Sequence, residues 1–94
     1  MNKPELSIII LSFNTKKLLQ DCLNSLDKVR GETSFEVIVA DNGSVDGSLE
    51  MVKKDFPWVV VLDNRANLGF AKGNNKARKI AKGIVDARQK TKIK

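Results

Sequence analysis

Two kinds of apolar pattern alternate along the chain. Leu6 to Phe13 contains SIIIL flanked by small or polar residues, a short β-branched run without polar alternation, which predicts a strand covered on both faces. Asn14 and Thr15 then offer a helix N-cap, and Leu18, Leu19, Cys22, Leu23, Leu26 and Val29 recur every three to four residues, predicting one buried helical face. After a break at Gly31 to Ser34, FEVIVA is a second continuous run that ends in Asp41-Asn42-Gly43-Ser44. A second helix is expected from Ser44 through Leu49, Met51 and Val52 until Pro57 interferes. WVVVL, Trp58 to Leu62, reads as a third strand. Past the polar turn Asp63 to Asn67, a last helix is expected to begin between Gly69 and Lys72 and to bury Ala77, Ile80, Ala81, Ile84 and Val85, with Lys72, Lys76, Lys79 and Lys82 pointing elsewhere.

The order β-α-β-α-β-α with continuously apolar strands implies an α/β protein: a three-layer α/β/α sandwich around a short parallel sheet in the order 3-2-1, joined by right-handed crossovers. One domain is expected over residues 1–88, followed by a frayed basic tail at 89–94. All three strand-to-helix turns then gather at one edge of the sheet, which is where open α/β sheets bind ligands.

Composition narrows the chemistry. Of 94 residues, 41% are hydrophobic and 30% charged, with one Cys and no His. A His-based triad, a zinc cluster and an internal disulfide are therefore excluded within this sequence. The apolar run near the N-terminus is too short for a signal peptide or a membrane span. Net charge is +6, but it is unevenly placed: residues 1–70 carry 8 Lys+Arg against 10 Asp+Glu, while residues 71–94 carry 9 against Asp86 alone. Such a basic quarter suits nucleic acid, an acidic membrane surface or a solvated helix face.

The turns decide between ligands. Ser12-Phe13-Asn14-Thr15-Lys16 contains no glycine, so the dinucleotide G-x-G-x-x-G turn and the P-loop are both absent. What remains is Asp41 at the end of the central strand and helix N-termini able to turn N–H groups toward an anion. A carboxylate there can accept from the imide N–H of uracil or thymine, or from guanine N1–H, and selects against adenine and cytosine. The same residues have plainer roles open to them. Asp41 or Ser44 could cap the second helix, Asn14 and Asn67 could cap theirs, and Cys22, in phase with Leu18 and Leu26, suits core filling.

In combination, LSIIILSFN at 6–14, FEVIVADNGSVDGS at 35–48 and VVLDNRANLGFAKGNNKA at 60–77 resemble the opening segment of family 2 glycosyltransferases of the GT-A fold, nearest to rhamnosyltransferase-like enzymes of surface polysaccharide synthesis. The resemblance implies a Rossmann-like half of that fold and a binding site for a UDP-, dTDP- or GDP-sugar. By position, Ser12, Phe13 and Asn14 match the turn around the nucleoside. Asp41 matches the carboxylate that reads the base, and Asn42, Gly43 and Ser44 the turn after it. Asn67, Gly69, Gly73 and Asn74 match the third turn and its helix start.

The resemblance further implies a fourth strand bearing a D-x-D motif that holds Mg²⁺ or Mn²⁺, and an acceptor half with a general base. Both are expected to lie outside this chain, so it should carry no catalytic residue, bind no metal, bind the nucleotide-sugar weakly and transfer no sugar alone. Without the fourth strand, the first strand would have a free edge, an expected site for a homodimer or for the folded-over tail. The expected location is cytoplasmic, at or near the inner membrane surface. The alternative function is a basic α/β module for nucleic acid or a protein partner. Nucleic acid is disfavoured, because one Trp, no Tyr and no aromatics among the basic residues leave little for base stacking.

Overall fold

The computed structural model describes residues 4–32, 34–81 and 84–88. Along the chain run β1 (Leu6–Ser12), α1 (Lys16–Asp27), β2 (Phe35–Asp41), α2 (Ser48–Asp55), β3 (Val60–Asp63), α3 (Gly69–Ile80) and β4 (Ile84–Arg88). All ladders are parallel. β1 pairs with β2 from Leu6 opposite Phe35 to Ser12 opposite Asp41, and β2 pairs with β3 from Ile38 opposite Val60 to Asp41 opposite Asp63. The sheet thus has the expected β3-β2-β1 order, and β4 extends it on the far side of β1.

Because successive strand residues face opposite ways, the two uninterrupted apolar runs serve two cores at once. On one face Ile8, Ile10, Val37 and Val39 pack with Leu19 and Leu23 of α1 and Met51 and Val52 of α2. Ile9, Leu11, Ile38 and Ala40 face the other way, against Ala77 of α3. These are the three layers expected. Phe56 and Trp58 meet edge to face at 6.3 Å, and the Arg30 guanidinium lies 4.4 Å over the Trp58 ring. Together they tie the segment after α1 to the α2–β3 connection.

Three expectations about the elements are corrected. The last helix stops at Ile80, where Ala81 turns extended with φ −71° and ψ 141°. Ile84 and Val85 therefore belong to β4, not to a helical stripe. Their spacing from Ile80 and Ala81 imitates a continuing helix, but both are β-branched, and β1 offers an open row of backbone groups that a fifth helical turn could not pair. β4 pairs with β1 from Leu6 opposite Ile84 to Ile10 opposite Arg88. The free β1 edge expected from the sequence is thus covered over those residues, and with it goes the geometric ground for a dimer through that edge. Residues 89–94, expected to fray, lie outside the described residues.

The second helix begins at Ser48, four residues later than expected, because residues 42–47 are held in a turn of their own. On α1, Leu18 is exposed whereas Leu19 and Leu23 are buried, and Val29, also exposed, lies beyond the helix end at Asp27. Cys22 and Leu26, partly buried, pack against the same core, so of the expected stripe only Leu18 and Val29 fall outside it.

Candidate functional site

Ser12, Asp41 and Asp63 stand in register across the C-terminal ends of β1, β2 and β3, and the three turns leave the sheet from this row. Every residue singled out from the sequence lies on those turns or just beyond them. They form two groups on opposite faces of the sheet, divided between Asp41 and Asn42.

Asp41 is 1% exposed. Its Oδ2 accepts from the Ser44 N–H at 2.8 Å and its Oδ1 from the Ser44 hydroxyl at 2.6 Å. The Ser44 Oγ also accepts from the Asn14 N–H at 2.8 Å, and Asn14 Oδ1 in turn accepts from the Val45 N–H at 2.8 Å. This circuit binds the first turn to the second. Asn14 sits at φ 52°, a left-handed conformation that Asn tolerates better than most residues. Neither Asp41 nor Ser44 caps α2, and Asn14 does not cap α1. Those plainer roles are replaced by a turn-closing one.

Asn42, 2% exposed, faces the other way. Its Oδ1 accepts from Asn64 Nδ2 at 2.9 Å, and its Nδ2 donates to the Gly69 carbonyl at 3.3 Å and to Asn67 Oδ1 at 3.4 Å. Asn67 Oδ1 also accepts from the Gly69 N–H at 2.9 Å, which places Asn67 as a cap at the start of α3. Gly73 completes this group from one turn further along the helix. A Cβ there would lie 2.6 Å from Leu11 Cδ1 and 3.1 Å from Asn42 Oδ1, so only hydrogen lets α3 approach this closely. Gly43, at φ +86°, has Ala66 of the third turn against it.

Phe13 is exposed beside Asn14, and Asn74 is half-buried on α3. Ser12 Oγ, Thr15 Oγ1, Asn64 Oδ1 and Asn74 Oδ1 are buried without a hydrogen-bond partner among the described residues. Buried polar atoms normally have partners, and four orphans at one sheet edge leave polar capacity unspent.

Asp46 and Asn64 were not picked out by the sequence reading. The Asp46 carboxylate accepts from the Lys16 N–H through Oδ2 at 3.0 Å, and through Oδ1 from both the N–H (3.0 Å) and the hydroxyl of Ser48. One side chain therefore caps the N-termini of both α1 and α2, with Gly47 at φ +87° making the bend between. Partial burial pushes the Asp46 pKa up. The bonds from the Ser48 hydroxyl and from the N–H groups of Lys16, Ser48 and Asp46 itself outweigh that and hold it below the ordinary 3.8. An Asp two residues before a helical Ser is a readable cap signal; its reach to a second helix is not. The expectation that helix N-termini face an anion is narrowed accordingly, because at α1 and α2 a carboxylate of the chain itself occupies that position.

No group of three or more His, Cys, Asp or Glu among the described residues is placed to hold a metal ion. Asp41 accepts from Ser44, and Asp63 Oδ1 accepts from the Arg65 N–H at 3.0 Å. An open groove of about 470 Å³ between α1 and α2, lined by Lys16, Gln20, Glu50 and Lys54 among others, includes none of the residues of either group.

A parallel α/β sheet whose polar turns gather at the C-terminal ends of its strands is the arrangement in which open α/β sheets bind ligands. The family follows from sequence: a model of glycosyl transferase family 2 matches residues 7–85, and the chain belongs to that family. It is 42% identical over 82 residues to the uncharacterized glycosyltransferase YfnE of Bacillus subtilis, covering 84% of this chain and 21% of that protein. With a poly(ribitol-phosphate) beta-glucosyltransferase of Bacillus spizizenii it shares 36% over 84 residues, 84% of this chain and 13% of that one. The chain thus spans about a fifth or less of these relatives. Among solved structures, the mannosyltransferase PcManGT from Pyrobaculum calidifontis, in complex with GDP-Man and Mn²⁺, superposes with a TM-score of 0.69 at 24% identity, over 86% of this chain and 25% of that one. That likeness shows the GT-A fold. No helix among the described residues is long and apolar enough to cross a membrane.

Proposed function

We propose that this chain is the nucleotide-sugar-binding part of a glycosyltransferase that passes a sugar from a UDP-, dTDP- or GDP-linked donor to a polysaccharide or glycoconjugate acceptor. The observation that carries the reading is the convergence of three turns at one sheet edge, knitted by Ser44 and Asn42, with the acceptors of Ser12, Asn64 and Asn74 unspent. Phe13 offers an exposed ring for a base, and Asn67 and Gly69 stand at the start of α3, the helix whose N-terminus Asp46 does not cap. Likeness to a poly(ribitol-phosphate) glucosyltransferase supports a polymer as acceptor.

Asp41 is the base reader in this proposal. Each of its oxygens keeps a second lone pair, but at 1% exposure a base reaches it only when the Asn14–Ser44 pair swings aside. A single charge-assisted bond contributes on the order of 1.5–3 kcal/mol, so binding by this chain alone is weak. The chain is proposed to bind donor without turning it over, the general base and the Mg²⁺ or Mn²⁺ of the reaction belonging to other residues of a full-length relative. Its proposed location is cytoplasmic, at or near the inner membrane surface.

Titration of the chain with UDP, dTDP and GDP, followed by amide chemical shifts, tests the site. Shifts should cluster at Asn14, Asp41 and Gly69 and disappear in Asp41→Ala. Salt-sensitive shifts with RNA along Lys72, Lys76 and Lys79 would instead support the basic-module reading. Release of sugar from the donor by the chain alone would refute the inactive state.

A further inference from the structure

The solvent face of α3 carries positive charge that enters no ion pair among the described residues. Lys72, Lys76 and Lys79 recur at i, i+4 and i+7 and so share one exposed stripe, with Arg78 beside it. No acidic residue occurs between Asn64 and Ala81. The two ion pairs among the described residues, Lys17–Asp21 and Arg30–Asp27, both lie at α1. Arg78 and Lys79 have an ordinary rationale, since cations at a helix C-terminus complement its dipole. Lys72 does not. It is the fourth residue of the helix, near the positive end, where no acidic residue offsets it.

We propose that this stripe is an attachment surface for an anionic lipid bilayer. Three lysines in line along a rigid helix present their charges to a plane, and their long stems let the ammonium groups reach lipid phosphates while the helix stays packed on the sheet. Ile80, four residues on from Lys76, borders the stripe and is 42% exposed, an apolar side chain placed to enter the headgroup region. Nucleic acid fits less well. Phe70 lies two residues before Lys72 and thus on nearly the opposite side of the helix, so the stripe has no ring for base stacking. The surface is independent of the nucleotide reading, because attachment needs no bound nucleotide.

Vesicles of equal parts phosphatidylglycerol and phosphatidylcholine, floated with the 94-residue chain, provide the test. Binding should be strong at low salt, fall steeply as salt rises, and be absent from pure phosphatidylcholine. Each lysine near such a surface contributes roughly fivefold, so Lys72→Gln, Lys76→Gln and Lys79→Gln together should weaken binding by roughly a hundredfold while the circular dichroism spectrum is unchanged. The charge-matched control Lys90→Gln, Lys92→Gln, Lys94→Gln should lose far less. Retention by the α3 variant, greater loss by the control, equal binding to uncharged vesicles, or binding of an RNA oligomer in preference to vesicles would each overturn the proposal.

Discussion

Asp46 Oδ2 accepts a hydrogen bond from the backbone N–H of Lys16 at 3.0 Å, across thirty positions of sequence. The other oxygen of the same carboxylate receives the N–H of Ser48 at 3.0 Å, so the starts of α1 and α2 share one anchor. Asp46→Ala removes the cap of both helices and should cost about 1–2 kcal/mol, the scale of a lost N-cap. For a domain of this size that is a fall in Tm of roughly 4–16 °C, read by thermal denaturation.

The same carboxylate has a pH signature. Its pKa is lowered in the folded state, so its contribution to stability is fully present above the unfolded-state value and is lost as pH falls through the folded one. Urea midpoints of the wild type and Asp46→Ala should therefore differ at neutral pH and converge at pH values below the ordinary 3.8. A gap that persisted unchanged to the acid limit would assign the effect to packing, not charge.

Gly73 sets how near α3 comes to the sheet. In Gly73→Ala the new methyl would meet Leu11 Cδ1 at 2.6 Å and the Asn42 amide oxygen at 3.1 Å, so the buried Leu11 side chain or the helix must shift, at a cost of about 1–3 kcal/mol. Gly31→Ala, with nothing within 4 Å, should change stability by less than about 0.5 kcal/mol. Chemical denaturation of the pair separates a packing requirement from a general intolerance of alanine.

Asn42 is the hub of the third turn. Asn42→Ala leaves the buried Asn64 Nδ2 and the Gly69 carbonyl without their partner, a loss of about 1–3 kcal/mol. Amide exchange should accelerate at Gly69 while Ser44 stays protected, because Asp41 serves that turn from the other face.

Pairing of β4 on β1 makes a prediction about self-association. A chain ending at Ala81 exposes the unpaired edge of an apolar strand whose Ile8, Ile9 and Ile10 are buried in the intact fold. Sedimentation velocity should show concentration-dependent association of the shortened chain beyond any shown by the whole one.

Much of this was legible in the residues. SIIIL and FEVIVA can only be buried on both sides, and with helical stripes between them they dictate a parallel three-layer sheet in which every turn bearing a polar motif leaves from one edge. The eleven candidate residues came from the resemblance, and the alternation of strands and helices puts the turns that carry most of them at that edge. Local patterns misled where two periods overlap: Ile80, Ala81, Ile84 and Val85 satisfy a helical spacing, and only the vacant hydrogen-bonding edge of β1 makes the second pair a strand. The start of α2 was misread for a related reason, since Ser44 is a good cap in isolation and its hydroxyl is taken by Asp41.

The sequence by itself determined the layers, the order of the three central strands and the edge at which polar turns collect, because burial of apolar side chains follows periodicity that each segment carries alone. Tertiary structure decided what those polar side chains do. Whether Asp41 closes a turn, Asn42 holds a helix start or Asp46 caps two helices depends on partners 3 to 30 positions away. A hydrogen bond is short and directional, and no pattern within one segment specifies which distant donor the fold will bring to within 3 Å.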